Sequence, residues 1–114
     1  MSLSARNWAW DSGELTLKGV TRKLHPGEKL TLLCIAELEN CVGGFAYPSM
    51  EYIAQRTSQS ERTVRTHVAT LLAVGAFTIE RRRSRKGRWL RNVYVLNVPD
   101  EYRESDPEWL AYQG

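Results

Sequence analysis

Ten of the chain's 16 Lys and Arg side chains fall between Arg56 and Arg91, where only Glu61 and Glu80 oppose them. Ten positive minus two negative charges gives this stretch +8 in a protein of net charge +3, so the remainder carries −5. A guanidinium is a planar fork of donors that pairs two at a time with phosphate oxygens, or with O6 and N7 of guanine. Such a concentration points to a polyanionic partner. Two sets separate within it. Arg62 and Arg65 alternate with Thr63, Thr66 and Thr70, groups small enough for close approach and able to donate, accept or offer a methyl. Arg81, Arg82, Arg83, Arg85, Lys86, Arg88 and Arg91 form a dense run, a chemistry of charge without shape selectivity. A basic run alone is most often a solvated face, so its neighbours decide its meaning.

Other chemistries find little support. Metal-assisted nucleolysis needs clustered carboxylates, and the basic half holds only Glu61 and Glu80. No Ser/His/Asp or Cys/His grouping is evident, and no enzymatic activity is expected. Cys34 and Cys41 are not spaced as C-x-x-C, and only His25 and His67 could join them, so no zinc or other cofactor is expected. Cys34 falls in an apolar stretch where a buried thiol is the ordinary outcome. No apolar run approaches the roughly 20 residues of a membrane span, and no signal pattern opens the chain; the cytoplasm is the expected location. At 114 residues, 42% hydrophobic and 25% charged, the composition fits one globular domain.

The threonine-arginine set must be held by the stretch from Pro48 to Leu72. Ser49 is a natural N-cap for a short helix carrying Ile53 and Ala54. Thr57-Ser58-Gln59-Ser60 interrupts it, and Ser60 caps a second helix in which Val64, Val68, Leu71 and Leu72 recur at i, i+4, i+7 and i+8. At about 100° per residue, Arg62, Thr66 and Thr70 point away from that stripe, with Ala69 and Ala73 beside them and Thr63 and Arg65 on the flanks. A surface helix usually mixes Glu and Lys there. Short hydroxyls, alanines and arginines instead form a face that can press against something flat and anionic.

Ala54 to Leu72 resembles the helix-turn-helix of the winged-helix group found in bacterial regulators and in plasmid and phage replication proteins. The pattern is carried by Pro48-Ser49, Ile53-Ala54, Ser60-Glu61-Arg62-Thr63-Val64 and Leu71-Leu72-Ala73-Val74-Gly75. Ser58 replaces the usual turn glycine, Gln59 the usual small apolar residue after it, and Glu61 a common basic residue. The resemblance implies an α+β fold: a three-helix core, a short strand and a two-stranded hairpin wing, with the second helix of the pair in the major groove.

The flanking sequence fits that plan over residues 24–98. Pro26-Gly27-Glu28 opens a helix in which Leu30, Leu32, Leu33, Cys34, Ile35 and Leu38 are apolar on nearly every side, as at the centre of a core. Phe45-Ala46-Tyr47 reads as a short strand. Ala76 to Glu80 and Asn92 to Val98 alternate as two strands, joined by the basic loop. Trp89, within that loop, is read as a packing residue. Residues 1–23 form an N-terminal extension: Trp8 and Trp10 alternate as in an extended segment, and Leu15 and Leu17 do so after an Asp11-Ser12-Gly13 turn. Residues 99–114 form an acidic and aromatic extension, where Ser105-Asp106-Pro107-Glu108 reads as a capping box.

The expectation is a sequence-specific double-stranded DNA-binding protein, with Gln59, Ser60, Arg62, Thr63, Arg65, Thr66 and Thr70 on the recognition element and the seven basic residues on the wing. The resemblance allows a small transcriptional regulator or the DNA-binding part of a plasmid or phage replication initiator; a natural length of 114 residues favours the regulator. The alternative of another class is a winged-helix protein-interaction module, which would not need so basic a wing. No membrane or small-molecule partner is expected. A homodimer through Trp8, Trp10, Trp109, Leu110 and Tyr112 would set two recognition helices on a two-fold symmetric site, and packing of these flanks within one chain is the rival account.

Overall fold

The computed structural model describes residues 2–83 and 90–113, which form six helices and four strands in an α+β arrangement. Three helices make the centre: α2 (Pro26–Glu37), α3 (Met50–Thr57) and α4 (Glu61–Ala73). Pro26 sits in the first turn of α2, and Glu28 accepts from the His25 amide at 2.9 Å, satisfying one of the donors a helix start exposes. Leu32, Leu33, Ile35 and Ala36 of α2 meet Ile53 and Ala54 of α3 and Val64, Val68 and Leu71 of α4 in one buried cluster. Leu30 and Leu38 are exposed and Cys34 is only half-buried, so α2 has a solvent side that its apolar composition concealed. Burial pushes the Cys34 and Cys41 thiols up, away from reactive thiolate.

The second layer is an antiparallel hairpin, β3 (Phe77–Arg83) with β4 (Leu90–Leu96), in the register Phe77 to Leu96 through Arg83 to Leu90. Phe77 and Tyr94 meet edge-on at 5.1 Å and close the core beneath it. Phe45-Ala46-Tyr47 is not a strand. It makes two isolated bridges, Asn40 with Phe45 and Ala46 with Tyr94, the second attaching it to the edge of β4.

The N-terminal extension departs from expectation. Trp8 and Trp10 lie on a helix, α1 (Leu3–Asp11), not on an extended segment. Its inward stripe is Ala5, Trp8, Ala9 and Ser12, helical spacing written mostly in small residues, while the two tryptophans caught the eye at period two. A second hairpin follows, β1 (Glu14–Leu17) with β2 (Val20–Lys23).

The C-terminal extension folds back as α5 (Asp100–Glu104) and α6 (Pro107–Gln113), both against α1. Asp106, one residue later than the expected cap, accepts from the Trp109 amide at 3.2 Å and from the Ser4 amide at 2.8 Å. Arg103 reaches through this layer to the fully buried Glu39, with nitrogens 2.7 and 2.9 Å from its oxygens, and also donates to Ser2 and Ser4. Tyr102 donates to Asp11 at 2.7 Å. The two extensions therefore cover each other on one chain. Trp8, 5% exposed, belongs to the core, and Trp109 lies 3.6 Å beneath the Arg103 guanidinium. Trp8 is thereby withdrawn from the dimer surface expected of it and Trp109 is half-buried; Trp10, Leu110 and Tyr112 are exposed.

Candidate nucleic-acid interface

The helix pair is set by its caps. Ser49 Oγ accepts from the Tyr52 amide at 3.0 Å and starts α3; Ser60 Oγ accepts from the Thr63 amide at 3.1 Å and starts α4. Between them Ser58 stands in the left-handed region at φ 57°, ψ 39°, where the chain must reverse and a glycine would be unstrained. α4 ends at Gly75, φ 82°, with the Ala76 amide reaching back to Leu71 O at 2.9 Å. Buried Val64, Val68 and Leu71 fix its rotation.

The opposite face is exposed. Arg62, Thr66, Ala69 and Ala73 run along its middle, and Arg65 lies on one flank. Thr66 donates its hydroxyl to Arg62 O at 3.2 Å, which leaves its oxygen lone pairs and its methyl for the outside. Arg65 makes only a long pair with Glu61, 3.9 Å with both groups more than half exposed, which is worth little in water. Thr63 is exposed but takes part in the cap, accepting from Ser60 Oγ at 2.9 Å. Thr70 is half-buried on the other flank, where His67 also lies.

Gln59 does not belong to this face. Its amide nitrogen donates to Thr31 at 3.0 Å and to Thr57 at 2.8 Å, tying the turn to α2. The position is one that the resembled pattern fills with a small apolar residue, which is itself the signal that it points inward.

The β3–β4 hairpin divides its arginines between two faces. Alternation puts Arg81 and Arg83 on the face of Phe77 and Tyr94, the face turned toward the core and α4. Burial raises the Tyr94 phenol, and the charge of Arg65 offsets part of that rise. Arg82 pairs with Arg91 across the strands on the opposite face, and each guanidinium rests 4.6 Å from an aromatic ring, Phe45 and Tyr47 respectively. Arg82 is also held by Glu80 at 2.7 Å. Arg85, Lys86, Arg88 and Trp89 lie outside the described residues.

Among the described residues no three His, Cys, Asp or Glu side chains are grouped to hold a metal ion, and no helix is long and apolar enough to cross a membrane. No curated protein and no solved structure matches the chain. A family model described as a helix-turn-helix domain matches residues 21–74, the span from β2 through α4. Two capped helices about a tight turn, with a basic, small-residue face on the second, agree with that match: residues 21–74 resemble a helix-turn-helix domain, set in an α+β fold compatible with a winged helix.

Proposed function

We propose that the protein binds double-stranded DNA sequence-specifically as a small transcriptional regulator, with α4 in the major groove and β3–β4 as a wing on the adjacent backbone. The observation that carries this reading is the exposed face of α4. Its one central long side chain is Arg62, and Thr66, Ala69 and Ala73 around it leave room for close approach to base edges. Arg62 is assigned to guanine. Thr66, its hydroxyl hydrogen engaged, offers an acceptor or a methyl and so suits a base amino group or thymine. Arg65 and Ser60 at the helix flank and start, with Arg81 and Arg83 on the wing, are assigned to phosphates. Thr63 supports the cap as much as the contact, and Thr70 contributes from the edge. No catalytic role is assigned to any residue.

The reading as part of a plasmid or phage replication initiator shares every one of these contacts and differs in the target. Pairing of two copies would draw on Trp10, Leu110 and Tyr112 with the half-buried Trp109, since Trp8 is used within the chain. Selection of bound sequences from a random duplex pool tests the reading and separates these variants. A single inverted repeat, with a dimeric mass at micromolar concentration, supports a paired regulator. An array of direct repeats supports the initiator. A short asymmetric motif with a monomeric mass removes the dimer. Failure to enrich any sequence would remove specific recognition and favour a protein-interaction module.

A further inference from the structure

We infer that the β1–β2 hairpin is a second basic arm, gripping the DNA backbone beside the recognition helix. This rests on the DNA-binding reading above. Viewed down α4, with Val64, Val68 and Leu71 inward, Arg65 and Leu72 lie on one flank and His67 and Thr70 on the other. The first hairpin lies beside the same helix, and two close approaches place it there. α2, which β2 leads into, comes so near α4 that a Cβ on Gly27 would lie 2.7 Å from His67 Nε2. At the far end of α4, Leu17 of β1 lies against Gly75, 3.2 Å from where a Cβ on that residue would stand.

The hairpin is anchored rather than hanging from the domain. The Leu24 amide donates to Gly13 O at 2.9 Å and closes its base. Arg22 clamps Glu28 at the start of α2 through two bonds of 2.6 and 3.0 Å, and half-buried Leu15 packs on the core. Its inner face carries Leu15, Leu17, Val20 and Arg22, of which Leu15 and Arg22 are engaged at the base while Leu17 and Val20 stay exposed toward the tip. The other face, by strand alternation, presents Thr16, Thr21 and Lys23, all exposed, with the two threonine hydroxyls 2.7 Å apart. The tip is Lys18-Gly19, both at positive φ (52° and 81°), the turn that matches the twist of two-residue hairpins. Glu14, opposite Lys23 in the register, repels phosphate at the base, so the contact is placed toward the Lys18 tip. Two lysines and two hydroxyls without a shape-selective group are suited to the sugar-phosphate backbone rather than to bases.

The test is the double variant Lys18→Asn, Lys23→Gln. Asn-Gly is the preferred pair for this turn, so the change removes two charges while favouring the hairpin's geometry. Affinity is measured across a salt series on a duplex recovered from the random pool and extended by one helical turn on each side, with a hydroxyl-radical footprint of the same complex. The expected result is a salt slope lowered by about two units, with protection lost at phosphates outlying the recognition site on one side and an unchanged melting temperature. An unchanged slope and footprint would make the hairpin a packing element and overturn the inference while leaving the DNA-binding reading intact. A wild-type protein that binds no duplex would overturn both, and that outcome is seen before the variant is tested.

Discussion

Arg62 occupies the middle of the exposed face of α4, where Thr66, Ala69 and Ala73 are short and the nearest other cation, Arg65, stands on the flank. Arg62→Ala should weaken the cognate site by about 1–3 kcal/mol and relax the preference at one base pair, whereas non-cognate binding should fall much less. Selection from a random pool with the variant checks this, and an unaltered motif would remove Arg62 from readout. Ser58 tests the turn rather than the contact. A non-glycine residue at φ 57° carries strain, so Ser58→Gly should raise stability by roughly 0.5–1 kcal/mol in thermal or urea unfolding and leave DNA affinity alone. These positions were legible because turn and cap chemistry is local: Ser49 and Ser60 stand where the sequence puts them. Gln59 was not, because its polarity suggests solvent while its partners, Thr31 and Thr57, are brought together only by folding.

At the level of elements, periodicity served where the repeating residues are large. Val64, Val68 and Leu71 announced α4 and its rotation. The stripe Ala5, Trp8, Ala9 and Ser12 in α1 did not, because alanine and serine carry little hydrophobic signal. The hairpin β3–β4 was legible as two alternating strands, but the division of its arginines depends on register. That register yields a sharper expectation than charge alone. Arg81→Ala with Arg83→Ala should lower the salt slope of DNA binding by about two units. Arg82→Ala with Arg91→Ala, whose guanidiniums lie over Phe45 and Tyr47, should lower it less and cost more in thermal stability. Equal slopes for the two pairs would show that the faces of the wing are not distinguished by DNA.

On the scale of the whole molecule, the two extensions are part of one folded unit, the rival account to pairing, held by contacts that no local pattern foretold: Arg103 and Glu39 are 64 residues apart, and Asp106 and Ser4 are 102 apart. Arg103→Ala strands the carboxylate of Glu39, which is 0% exposed, and should destabilise the protein by about 3–5 kcal/mol in denaturant unfolding. Two carboxyls should make the fold acid-sensitive. The Arg22 guanidinium holds the Glu28 carboxyl below its ordinary range. Burial alone would raise Asp106, but bonds from Ser4 and the Trp109 amide together with the charge of Arg103 outweigh it and lower that carboxyl too. A depressed folded-state pKa stabilises above the unfolded value, near pH 4, and that contribution is lost as pH falls through the folded value. The stability gap between wild type and Asp106→Asn should therefore narrow as pH drops from about 5 to 3, and a gap independent of pH would assign Asp106 a purely steric role. The central claim is that α4 and its basic flanks form a DNA-reading surface, and it meets its most direct test in one measurement: the affinity of the intact chain for its pool-selected duplex across 50–300 mM salt, beside a scrambled duplex of equal length. The account predicts a preference for the selected duplex at every salt concentration, with log K falling linearly against log salt at a slope of several units. Equal affinity for the two duplexes, or a slope near zero, would contradict it.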